Sequence, residues 1–405
     1  MSPTQLRARF AEALSTLYGR EVPAYTTLVE VSQEVNAEVL ARGGVDAERL
    51  GTIERVTAER HGAIRVGSAD ELAQVARVFG ACGMYPVGFY DLREATPPIP
   101  VVSTAFRPVD RAELASNPFR VFTSVLVVDD RRFFDEGTEA ELRDFLASRT
   151  LFPSELLDLA DRMERDRTLV AGDADRFLEL ATAAFELSPE PVDRQWYERL
   201  EAISSVAADI GGVASTHINH LTPRVLDIDD LYARMSERGI EMIDRIQGPP
   251  RTEPGRPDVL LRQTSFKALA EPRQFREPDG SVVTGDLSVR FGEVEQRGVA
   301  LTPTGRELYD AEGIDGLPAT DAELDAMDLA YYVRDAGGGL TPIVYEDFLP
   351  KSAAGIFASN LTGEGRSDAT RRAAVRDAAW MQDVLGRELR DPYALYEAER
   401  RTASR

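Results

Sequence analysis

The pattern HxxxRVxxxDxL occurs twice in this chain, as HGAIRVGSADEL from His61 and HLTPRVLDIDDL from His220. His61 falls on His220, Arg65 on Arg224, Val66 on Val225, Asp70 on Asp229 and Leu72 on Leu231, all at one offset of 159 residues. Around each copy the local signals run in the same order: a strand, a turn with Ser or Asp in capping position, a helix, a glycine and a second strand. That agreement predicts an internal duplication, in which two equivalent modules bring matching strand positions to a shared cavity.

The rest of the chain arranges itself around the two copies. Helical spacing covers residues 3–18 and 31–60, with a break expected at Gly43 and Gly44. Val101–Ala105 and Phe119–Val128 read as further strands of the first module. From Thr138 to Ala208 the chain turns rich in Glu, Leu, Ala and Arg at helical spacing, which predicts an all-helical insertion. In the second module Asp258–Lys267 reads as strand, and EPDGSVVTGDLSVRFGEVEQRG as antiparallel hairpins turning at DG and TGD. Helices are expected at about 320–335 and 368–400. No flexible Pro/Ser linker intervenes, so the expectation is one compact body: N-terminal helices (1–60), first module (61–130), helical insertion (131–212), second module (213–310) and C-terminal helical region (311–405).

His61, His217 and His220 are the only histidines. If STHINHLTPRV is a strand, Ile218, His220, Thr222 and Arg224 share one face while His217, Asn219 and Leu221 take the other. The two neighbouring histidines then cannot serve one site, and the repeat pairs His220 with His61. In SVRFGEVEQRG the same alternation puts Val289, Phe291, Glu293 and Glu295 on one face, with two acids where a core face should be apolar. Two neutral imidazoles and one carboxylate suit a divalent metal, above all the facial triad of non-haem iron(II), which leaves positions open for substrate and oxygen. Spacing alone leaves Glu293 and Glu295 both available.

Other functions find little support. A net charge of −22 and a pI of about 4.7 repel nucleic acid and anionic membranes, and the only lysines are Lys267 and Lys351. No stretch approaches the apolar length of a membrane span. Cys82 is the only cysteine, so no intrachain disulfide or thiolate metal cluster can form, and it reads as a small buried hydrophobe. The N-terminal segment lacks the pattern of a secretory signal, and a reducing, cytoplasmic setting is expected. GxGxxG, GxxxxGK[ST] and GxSxG are all missing.

ERHGAIRVG, HINHLTPRVLDID, FGEVEQRGVALTPTGRELYD and YEDFLPKSAAGIFASNL resemble, in this order, the motifs of the 2-oxoadipate dioxygenase/decarboxylase family, also called D-2-hydroxyglutarate synthases. The likeness runs from about residue 30 to 365. It implies an α+β fold of paired βαβββ modules of the vicinal oxygen chelate type, forming a curved mixed sheet around a metal, with the helical insertion and terminal helices appended. It further implies an iron(II) enzyme taking 2-oxoadipate, a small 2-oxo dicarboxylic acid, and O2 to D-2-hydroxyglutarate and CO2 in lysine degradation. Carried onto this chain, the ligands are His61, His220 and Glu293, with His217 and Glu295 as the alternatives. Arg65 suits the far carboxylate of the substrate, since a guanidinium offers a carboxylate two parallel donors. Ser352 is similar to a substrate-contacting position, although Lys351 stands where an apolar residue is expected. Rival readings are a glyoxalase-like isomerase or ring-cleaving dioxygenase on the same scaffold, and a metal-free small-molecule-binding protein.

Overall fold

The computed structural model describes residues 1–43, 49–58, 60–253, 255–288, 290–334, 337–349, 356, 367–368 and 370–402. The chain begins with helices α1 (Pro3–Glu21), α2 (Pro23–Gly43) and α3 (Ile53–Ala58). The first module follows as β1 (Arg60–Val66), α4 (Ala69–Ala81), β2 (Tyr85–Asp91), β3 (Val101–Arg107), a short helix α5 (Arg111–Ser116) and β4 (Arg120–Leu126). Helix α4 starts where Ser68 accepts from the Glu71 amide and Glu71 reaches back, a complete capping box. Its Leu72, Val75, Ala76 and Phe79 recur at helical spacing and are fully buried. The turn into β2 passes through Gly83 at φ +68°, a conformation that L side chains rarely adopt.

The second module repeats this plan in β6 (His220–Pro223), α11 (Ile228–Glu237), β7 (Leu261–Ser265) and β10 (Glu293–Arg297). Asp227 caps α11 at the position that Ser68 holds in α4, counted by the repeat offset. The strand expected after Gly239 is reduced to single bridges, Met242 to Phe266 and Gln247 to Gln263. Five strands join in the order β2-β3-β4-β1-β6, with β1 parallel to β4 and antiparallel to β6, so the sheet is mixed. Beside β6 the antiparallel pair β10-β7 docks through the Arg224–Glu295 bridge and a 2.8 Å bond from the Val225 amide to the Glu295 carbonyl. The fold is thus α+β with paired modules, as expected.

One sheet face carries an apolar core in which Ile64, Val66, Leu221 and Val225 meet Leu6, Phe10, Leu72, Phe79 and Leu231 of the helices. Ala63, Phe122, Phe291 and Phe348 belong to a second core, shared with the insertion.

Several expectations need correction. The insertion contains α6 (Glu136–Ser148), α7 (Ser154–Asp166), α8 (Ala171–Ala183), α9 (Arg194–Glu201) and α10 (Ser205–Gly212), but is not all helical. Its two-residue strand β5 (Val192–Asp193) pairs in parallel with β8 (Glu271–Arg276), which in turn pairs with β9 (Val282–Leu287). DG does form the β8–β9 turn, whereas TGD lies inside β9. The insertion also serves both sheet faces: α7 and α8 join the first core, while α6, α9 and α10 join the second. The C-terminal region is not wholly helical. After α12 (Pro303–Glu312) and α13 (Asp321–Ala326) it holds the hairpin β11 (Tyr332–Arg334) and β12 (Leu340–Pro342), then helices Ala378–Leu385 and Pro392–Thr402. Among the described residues no helix is long and apolar enough to cross a membrane.

Candidate metal centre

Strands β1 and β6 run side by side with His61 opposite Thr222 and Ala63 opposite His220. The two histidines are therefore diagonal neighbours on one face. Their rings stand 5.3 Å apart and nearly perpendicular. Strand β10, on the far side of β6, brings the carboxylate. Just before it, Gly292 lies so close to Phe266 that a Cβ would meet the ring at 1.8 Å, which explains a glycine at the entry to this strand. Glu293 places Oε1 3.3 Å from His61 Nε2 and Oε2 3.6 Å from His220 Nε2. One donor atom from each of His61, His220 and Glu293 lies within 4.8 Å of the others, and all three residues are buried. Repeat and family resemblance thus single out three side chains that the fold brings to one point.

Strand alternation breaks at one place. Ile218 packs beside Leu221 against Gly62, on the helix-facing side, instead of sharing the face of His220. Regular strand begins only at His220, so counting by twos from residue 218 carries across a bend. His217, with Nε2 3.1 Å from Asp209 Oδ1, is held away from the three donors by Asp209 and by the Asn219 amide at 3.2 Å. Arg65 forms an ion pair with the same Asp209 carboxylate. Ser352 and Lys351 lie outside the described residues, as does Val289.

Each donor has a supporting partner. Thr222 Oγ1 is 3.0 Å from His220 Nδ1, and the Gln263 side-chain amide donates to Glu293 Oε1. Glu295 Oε2 lies 2.7 Å from His61 Nδ1, at an angle to the ring N–H, which makes a close ionic contact and not a straight hydrogen bond. Arg297 grips both Glu295 oxygens at 2.8 Å, and Arg120 reaches Oε1 at 3.4 Å and Glu346 at 2.6 Å. This separates the two acids: Glu295 is already matched by guanidinium groups, while Glu293 faces the imidazoles. Phe291 stacks on His220, Phe348 meets His61 edge-on at 5.0 Å, and Phe122 packs on Phe348.

The electrostatics favour a cation here. Burial opposes a proton on His61, yet the Glu295 and Glu293 carboxylates outweigh it and raise its pKa above 6.5. Burial, the charge of His61 and Arg65 hold His220 well below the ordinary imidazole value. Burial raises Glu293 against the pull of His61, with Glu295 adding to the rise. Burial would also raise Glu295, but Arg297, His61 and Arg120 hold it well below the carboxylate range. A deeply buried carboxylate flanked by two imidazole nitrogens fits a divalent ion of borderline softness. Cys82, by contrast, is buried and its thiol pushed up to about 12, so it stays an inert hydrophobe.

Residue patterns alone missed Gln263, Arg120, Asp209 and Phe348. Two signals were available: Arg297 continues the Glu293–Glu295 alternation, and Asp209 is the only acid in the apolar helix α10.

Two modules of like plan, closing on two imidazoles and a carboxylate, define an α+β scaffold with a candidate metal site between its halves. A Ralstonia eutropha JMP134 structure named within the glyoxalase superfamily shares the fold, with TM-score 0.55 and 21% identity over 73% of this chain and 84% of that one. The family model described as 2-oxoadipate dioxygenase/decarboxylase matches residues 10–360, and the chain belongs to that family. A Mycobacterium bovis protein named 2-oxoadipate dioxygenase/decarboxylase is 59% identical, over 97% of this chain and 96% of its own. The crystal structure of the Pseudomonas putida hydroxyglutarate synthase in complex with 2-oxoadipate superposes with TM-score 0.83 at 37% identity, covering 100% of this chain and 97% of that one.

Proposed function

We propose that this protein converts 2-oxoadipate and O2 into D-2-hydroxyglutarate and CO2, a step of cytoplasmic lysine breakdown, using iron(II) held by His61, His220 and Glu293. The observation that carries this reading is the convergence of those three buried donors in a chain of this family. Iron(II) in such a site supplies Lewis acidity toward the 2-oxo acid end of the substrate and the electrons that oxygen chemistry needs. The protein supplies the rest. Thr222 and Gln263 hold His220 and Glu293 in place, and the Glu295–Arg297–Arg120 group does the same for His61. Phe122, Phe291 and Phe348 keep the surroundings dry, which strengthens every charge interaction within. Arg65, buried near His220, takes the far carboxylate of the substrate. Ser352 is assigned a substrate contact on the family resemblance.

The test is oxygen uptake by anaerobically iron-loaded protein across a panel of 2-oxo acids, with product analysis. 2-Oxoadipate should be preferred, with one CO2 released per O2 consumed. Turnover of 2-oxoadipate without O2 uptake would refute the proposal.

A further inference from the structure

The assignment of Arg65 leaves a problem of charge. Arg65 is 3% exposed and already ion-paired with Asp209, which is 2% exposed. A substrate carboxylate arriving there meets a guanidinium whose charge is spent, and an unbalanced carboxylate in a buried site is costly. The same Asp209 has a second basic neighbour. His217 Nε2 stands 3.1 Å from Asp209 Oδ1, and Asn219 Nδ2 donates to Asp209 Oδ2 at 2.9 Å. Arg65, Asp209 and neutral His217 sum to zero; with His217 as imidazolium the group carries one net positive charge, matching one carboxylate.

The group also has open hydrogen-bonding capacity. His217 Nδ1 and Asn219 Oδ1 are buried and have no partner among the described residues. Buried polar atoms are seldom left so, and the ordinary remedy is a bound water or ligand. Thr216 ties this segment to β1 through a 2.7 Å bond to the Arg65 carbonyl, so His217 and Arg65 are held in fixed relation.

We propose that His217 is a positioning residue for the substrate: through the Asp209 carboxylate it shares with Arg65, it supplies the second positive charge that lets the pocket accept the far carboxylate of a dicarboxylic 2-oxo acid. This rests on the function proposed above, and it gives the histidine excluded from the metal site its own task. The charged group against His217 is Asp209 on α10, which is shared with Arg65 on β1.

The experiment compares KM for 2-oxoadipate with KM or Ki for 2-oxohexanoate, which has the same chain without the far carboxylate. It is run on iron-loaded wild type, His217→Gln, and His217→Gln combined with Asp209→Asn. His217→Gln should raise KM for 2-oxoadipate at least about tenfold more than it affects 2-oxohexanoate, with smaller change in kcat and a wild-type metal content. Removing the Asp209 charge in the double variant should recover most of that loss, because the balance is restored. A disturbance at the metal end acts on both ligands and cancels in the ratio of their constants, and the metal content of each variant reports whether the site has folded.

Equal effects on both ligands, or a double variant no better than the single, would each overturn the proposal. Wild-type protein inactive toward 2-oxoadipate overturns the functional reading itself. Wild-type turnover with His217→Gln unaffected overturns only the role of His217.

Discussion

The two modules share a plan but not a task. Both start with a strand bearing a histidine on the same face, continue into a helix capped at the same relative residue, and end in a strand parallel to the first. Arg65 stands beside Ser124 in the first module, and Arg224 beside Glu295 in the second. Two residues earlier on each closing strand, Phe122 therefore occupies the place of Glu293. The first module gives one donor and an aromatic wall; the second gives two donors. Duplication fixes where side chains meet, and substitution at matched positions then decides how many of them are ligands.

If that division holds, His220→Ala, which removes a donor, should abolish stoichiometric metal binding and lower oxygen uptake by about a thousandfold or more. Metal analysis after anaerobic purification and an oxygen electrode read the two effects. Full activity in this variant would end the metal assignment. Phe122→Glu is the converse test, since it restores symmetry by adding a second carboxylate. Metal should be retained while oxygen uptake falls by roughly a hundredfold, because a position needed by substrate or oxygen becomes filled.

Glu295 sharpens the contrast between ligand and support. Replacing it by Gln keeps all three donors but releases His61, leaves Arg297 without its buried carboxylate and leaves Arg120 to Glu346. Metal affinity should drop by roughly 10–100-fold, and stability by about 3 kcal/mol or more, read by metal titration and denaturant melts. A pH series on the metal-free protein adds a sign. His61 is raised above 6.5 in the fold, so its contribution to stability is complete below that pH and is lost as pH rises through the raised value. Metal affinity should run the other way, weakening as pH falls, because the ligand must first lose its proton.

How far the sequence could be read depended on whether the signal was local. The repeat put His61 and His220 on one face because strand pairing at a fixed offset leaves little freedom, and the cap residues Ser68 and Asp227 mark both helices. Glu293 was separated from Glu295 only by the family likeness; the physical reason, the grip of Arg297 and Arg120 on Glu295, comes from strands far apart in the chain. Helical spacing could not show that the insertion straddles both sheet faces, nor reveal β5, since a two-residue strand has no period to detect. The bend at residues 217–219 hid the surroundings of His217 for the same reason.

The mildest comparison concerns the caps. Ser68 accepts from the Glu71 amide at 3.2 Å, and Asp227 from the Asp230 amide at 3.0 Å. Ser68→Ala and Asp227→Ala should each cost about 1 kcal/mol without changing metal stoichiometry. The first should cost slightly more. Glu71 also accepts from the Gly67 amide and binds Arg149 at 2.7 Å, so loosening this cap disturbs the tie between the first module and the insertion, whereas Asp227 has the exposed Arg251 at 3.6 Å as its ion-pair partner. Equal losses in the two melts would mean that the insertion does not lean on the α4 cap, and that the modules differ at the metal alone.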